Sequence, residues 1–91
     1  MKESNAVISA ISYYLPQKIV TNRDLVEEFG VWTEDKIFQK TGIMQRHVVD
    51  GELVSDLAVR AAERLFEEYG TDRASVDFLL LCTESPDYYL P

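Results

Sequence analysis

Apolar residues stand at positions 53, 54, 57, 58, 61, 62, 65, 66 and 69, the i, i+3, i+4 recurrence of a helix with one buried face. The pattern runs from Leu53 to Gly70 and predicts the longest helix of the chain. Ala58, Ala61 and Ala62 on that face permit close packing against a sheet, while Arg60, Glu63, Arg64, Glu67 and Glu68 are expected to face water. A different pattern follows at once: Phe78 to Cys82 is an unbroken run of five apolar residues. Val76 to Thr83 therefore predicts a strand covered on both faces, as in parallel sheets flanked by helices. A one-sided helix next to a two-sided strand is a layered α/β arrangement.

The first half fills in the rest. Ala6 to Tyr14 is short, apolar and closed by Pro16, which predicts a buried strand. Thr21 with Asp24 three residues on is a capping box, with Val20 and Leu25 placed as a hydrophobic staple, and Gly30 ends that helix. Thr33 caps a second short helix, with Glu34 and Asp35 in its first turn and Gly42 at its end. Trp32 and Ile37 are spaced as its staple, so Trp32 serves either that packing or a ligand-stacking role. Met44 to Val49 is read as a short extended piece and Asp50-Gly51 as a turn. Strand, two short helices, long helix and strand make a right-handed βαβ crossover. Such a set cannot cover both faces of its sheet and leaves strand edges unpaired. It reads as the first unit of a larger α/β fold.

Composition limits what the chain does. With 91 residues it allows one small domain, and 46% apolar against 27% charged residues is a globular balance. The apolar runs are far too short for a membrane helix, which takes about 20 residues, and the start lacks a signal-peptide pattern. One cysteine makes no internal disulfide, in keeping with a reducing, cytoplasmic location. A net charge of −7 opposes nonspecific nucleic-acid binding. The segment from Lys36 to His47 nevertheless holds Lys36, Lys40 and Arg46 and no acid. It is either a holder for a phosphate-bearing ligand or an ordinary solvated face.

Four ordered blocks carry a resemblance: S-Y-Y-L-P at 12–16, T-N-R-D-L at 21–25, K-T-G-I-M-Q-R-H at 40–47 and C-T-E-S-P-D-Y-Y-L-P at 82–91. Together they are similar to the start of the β-ketoacyl-ACP synthase III family, thiolase-fold condensing enzymes that begin bacterial fatty-acid synthesis. The resemblance covers the whole chain but only the first quarter to third of such an enzyme. It implies an incomplete thiolase-like domain over residues 1–91. It also implies an acyltransferase that moves an acyl group from acyl-CoA to a cysteine, then condenses it with malonyl-ACP. That chemistry needs an activated thiolate, an oxyanion hole and His and Asn donors for the enolate. In the family these three residues match nothing within 1–91, so no catalytic residue is assigned and the chain alone is expected to be inactive. The family also implies a cytoplasmic homodimer, and neither a metal nor a cofactor is called for.

Several positions follow from the resemblance one by one. Cys82 matches a small apolar residue of a core strand, so it is expected to be core filling and not a nucleophile. His47 matches a position beside the family's R-T-G-I-x-x-R block and is expected to be non-catalytic. The family's adenine-stacking tryptophan and phosphate-holding arginine match Lys36 and Lys40. Lysine keeps the charge at the arginine position without the planar fork. One inserted residue before Thr33 offers Trp32 as the stacking ring instead. A donor other than acetyl-CoA, such as an acyl-ACP or a specialised acyl-CoA, becomes open. Leu90 matches the residue that reaches into the partner's acyl pocket, and Glu84 stands near the active site; both positions also suit a plain surface loop.

Two other readings stand beside this one. The chain could be a non-enzymatic interaction or dimerisation module that offers an exposed strand edge. It could also be a polyketide-synthase or hydroxymethylglutaryl-CoA-synthase type relative in the thiolase superfamily.

Overall fold

The computed structural model describes residues 5–89. Its elements in chain order are β1 (Lys18–Thr21), α1 (Asn22–Phe29), α2 (Glu34–Thr41), β2 (Gln45–Val48) and α3 (Val54–Tyr69), with a short 3-10 turn at Arg73–Ser75. They fall into two compact units, one made of residues 15–52 and the other of residues 5–14 with 53–89.

The unit of residues 15–52 is built by its caps. Thr21 has extended backbone, its hydroxyl accepts from the Asp24 N–H, and the Asp24 carboxylate accepts from the Thr21 N–H at 2.8 Å. This is the reciprocal capping box that the sequence predicts. Thr33 caps α2 by accepting from the Lys36 N–H. Both helices end at glycines in the left-handed region, Gly30 (φ 66°) and Gly42 (φ 69°), a backbone conformation that strains any residue with a side chain. β1 and β2 pair antiparallel, with Lys18 opposite Val48 and Thr21 opposite Gln45. The extended piece expected at 44–49 is thus half of a two-stranded sheet whose other half, β1, was not expected from the sequence.

The unit of residues 5–14 and 53–89 is organised by α3. Its half-buried positions are Ser55 and seven of the nine residues of the predicted apolar face, Val54, Leu57, Ala58, Ala61, Ala62, Leu65 and Phe66, while Leu53 and Tyr69 at the ends of that face are exposed; Gly70 closes the helix in the left-handed conformation. The charged face is exposed as expected, yet it also holds chain. Arg64 donates to the Tyr13 carbonyl and lies over the Tyr13 ring, and Arg60 does the same with the Tyr14 hydroxyl and ring. Tyr69 donates to the Ile11 carbonyl at 3.1 Å. Residues 11 to 14 therefore run against the direction of α3 along its polar side.

Three expectations are corrected. Neither 6–14 nor 76–83 forms a strand, and the sheet among the described residues is antiparallel, not a parallel βαβ crossover. A strand exists only through a partner's backbone hydrogen bonds, and no described segment supplies a ladder to either stretch. Their apolar side chains stay open to solvent, Ile8 at 83% and Leu80 at 81% exposure. The two-sided cover that an all-apolar strand needs is missing, so the predicted core role of Cys82 fails with it: Cys82 is a free, exposed thiol. Among the described residues Pro16 is buried, and no larger apolar side chain is.

Candidate functional site

The site candidates from the basic segment lie in the 15–52 unit. A depression of about 450 Å³ opens between the two short helices. Leu25 and Phe29 of α1 form one wall, Ile37, Lys40 and Thr41 of α2 the other, and Trp32 stands in the connection between them. The spacing of both helices brings Leu25, Phe29 and Ile37 to the depression, while Phe38 lies outside its lining. Trp32 is 45% exposed, so its ring combines packing against the depression with an open face. Lys40, in the last turn of α2, is the cation of the lining. Lys36 is exposed on the same helix and is not part of that lining.

The third cation of the segment is used differently. Arg46 donates from Nη1 to the Val20 carbonyl at 3.1 Å and from Nη2 to Asn22 Oδ1 at 2.6 Å. Asn22 is 6% exposed, the buried polar side chain of the described residues. Its Nδ2 donates to the Ile43 carbonyl at 2.7 Å, and its backbone N–H donates to the Met44 carbonyl at 3.1 Å. A buried amide needs both a donor and an acceptor satisfied, and Arg46 and Ile43 supply them. The blocks T-N-R-D-L and K-T-G-I-M-Q-R-H are thus joined at their second and seventh residues. Reading the segment as a charge cluster missed this. The available signal was an asparagine directly after an N-cap threonine, where α1 has no need of a second cap.

His47 Nδ1 lies 2.6 Å from the Pro16 carbonyl. A carbonyl only accepts, so Nδ1 carries the proton and the ring ties β2 to the chain before β1.

Of the C-terminal candidates, Glu84 belongs to the other unit. Glu84 is exposed, and Leu90 lies outside the described residues. Asp87, not singled out from the sequence, has a defined task. Its Oδ1 accepts from the Ser55 N–H at 3.0 Å in the first turn of α3. The N-cap residue there is Leu53, which has no side-chain acceptor; Asp56 accepts from the Leu53 N–H at 2.9 Å, which is only half a capping box. An acceptor from elsewhere is what such a helix start lacks. The Ser55 contacts, followed by the Val54 N–H, hold the Asp87 carboxyl below the usual carboxylate range.

Among the described residues no group of three or more His, Cys, Asp or Glu side chains could hold a metal ion, and no helix is long and apolar enough to cross a membrane.

No protein-family profile matches the chain. The comparison with curated proteins is informative. The chain is 42% identical over 88 residues to the beta-ketoacyl-[acyl-carrier-protein] synthase III of Streptococcus suis strain 05ZYH33, covering 97% of this chain and 27% of that protein. It is 38% identical over 84 residues to the protein of the same name from Streptococcus pyogenes serotype M5 strain Manfredo, covering 92% and 26%. The chain therefore spans about a quarter of the length of the curated relatives it matches. Identity at this level along nearly the whole chain places it, as a match to an N-terminal stretch, in the beta-ketoacyl-[acyl-carrier-protein] synthase III family.

Proposed function

We propose that residues 1–91 form the N-terminal part of a thiolase-like condensing enzyme that joins an acyl-CoA, or a related acyl thioester, to malonyl-ACP at the start of fatty-acid synthesis. The relatives' name supports the reaction class. The observation that carries the local reading is the meeting of Trp32 and Lys40 at one depression between α1 and α2. A flat aromatic face for a base beside one cation for a phosphate is the chemistry a CoA nucleotide requires. Lys36, outside that lining, plays at most a long-range electrostatic part. Arg46 is committed to Asn22 and Val20 and leaves the ligand to Lys40.

The depression is lined mainly by apolar side chains, and Lys40 is its one cation to meet a phosphate of that nucleotide. The segment from Glu84 to Pro91, with Leu90, is proposed to approach the acyl pocket of a homodimeric parent enzyme. The chain alone performs no acyl transfer in this reading, because the cysteine, histidine and asparagine of the chemistry match none of its residues. Incubation with radiolabelled acyl-CoA at neutral pH, followed by peptide mapping, tests this: no label is expected, and a stable acyl group on Cys82 would refute it. Titration of Trp32 fluorescence with coenzyme A tests the ligand site, with a saturable change expected and its loss in Lys40→Ala.

A further inference from the structure

Asn22 occupies a position that bears on both walls of the depression. It is the first residue of α1, whose Leu25 and Phe29 form one wall. Through Nδ2 and its backbone N–H it also grips the carbonyls of Ile43 and Met44, just after the C-cap of α2. From there the link into the second wall is short. The Ile43 N–H donates to Thr41 Oγ1 at 3.0 Å, and that hydroxyl donates to the Ile37 carbonyl at 2.7 Å. Thr41 and Ile37 line the depression with Lys40. Arg46 completes the arrangement by holding the Asn22 amide from the β2 side and bonding the Val20 carbonyl of β1.

We infer that Asn22 and Arg46 are positioning residues that set the separation of the α1 and α2 walls and, through it, the fit of whatever ligand the depression takes. The choice of side chain follows from the chemistry. At position 22 aspartate would accept from Arg46 but could not donate to Ile43, and alanine would do neither. At position 46 lysine would reach one of the two acceptors, where arginine spans both. The ligand part of the inference rests on the proposed reading of the depression; the geometric part does not.

The experiment uses the full chain and its single tryptophan, which sits at the rim. Acrylamide quenching of Trp32 without ligand reports the walls, and titration with coenzyme A reports the site. Asn22→Ala and Asn22→Asp are expected to raise the quenching constant and weaken coenzyme A binding roughly five- to tenfold, the scale of one buried hydrogen bond. Helix content by far-UV circular dichroism should stay unchanged. Arg46→Lys should fall between these and the wild type, and Arg23→Ala, an exposed neighbour paired with Glu27, should change nothing. If Asn22→Ala loses its helices, Arg46→Lys carries the test. The inference is overturned if quenching is unaltered in the folded variants, or if every loss of binding tracks a loss of helix content. Greater quenching in Asn22→Ala, with a wild type that ignores coenzyme A, upholds the wall-setting role and removes only the nucleotide reading.

Discussion

A carboxylate and a hydroxyl three residues apart decide how α1 begins, and their energetics follow from their bonds. The Thr21 N–H first, then the Thr21 hydroxyl and the nearby Arg23 charge, hold the Asp24 carboxyl below its ordinary range. A depressed carboxylate stabilises the fold above the unfolded pKa, and the contribution is lost as pH falls through the folded value. The urea midpoints of wild type and Asp24→Ala, followed by Trp32 emission, should therefore differ at pH 7 and converge as pH falls below about 4. Thr21→Ala should cost about 1 kcal/mol in the same assay at pH 7. These residues were legible in the sequence because a cap is local: partner and donor lie within one turn. Asn22 and Arg46 were not, because their bond spans 24 positions, and nothing in a local window tells a structural arginine from a ligand-binding one.

Among elements, the three α-helices were read to within a residue and β2 was anticipated as an extended piece, whereas β1 was missed and the strands expected at 6–14 and 76–83 are absent. Helices satisfy their own backbone groups, so periodicity and caps are sufficient information. The glycine ends illustrate this. A Cβ on Gly42 would meet nothing within 4 Å, so Gly42→Ala should lose about 1 kcal/mol purely through its left-handed backbone, measurable by urea denaturation. α3 shows where local reading stops. Its start relies on Asp87, thirty-two positions away from Ser55. Asp87→Ala should speed hydrogen exchange of the Ser55 amide while exchange in the last turns of α3 stays as it was. The segments 6–14 and 76–83 have strand composition without a ladder, since composition states only what a segment would do beside a partner. Cys82 should accordingly react with a soluble disulfide reagent in the native chain as fast as in urea.

For the whole molecule, the exposed side chains of Val7, Ile8, Phe78, Leu79 and Leu80 form apolar surface that a free chain would shield by association. Light scattering should show mass rising with concentration, and a monomer persisting at high concentration would speak against this. The mixed α/β class was anticipated, but its sheet is made by β1 and β2 and not by the apolar run that suggested it. The division into two units was not anticipated, because it depends on which segments find partners.

That division bears on the order in which the chain acquires structure as it is made. The unit of residues 15–52 is continuous, while the other joins residues 5–14 to residues from 53 onward. During synthesis from the N-terminus, the Asn22–Arg46 link can close as soon as β2 has emerged. Tyr13 and Tyr14 must wait until Arg60 and Arg64 follow them. A nascent chain paused when Glu52 has just emerged would hold the paired β1 and β2 and two capped helices behind an unanchored leading segment. Protease protection of stalled ribosome complexes should appear there first.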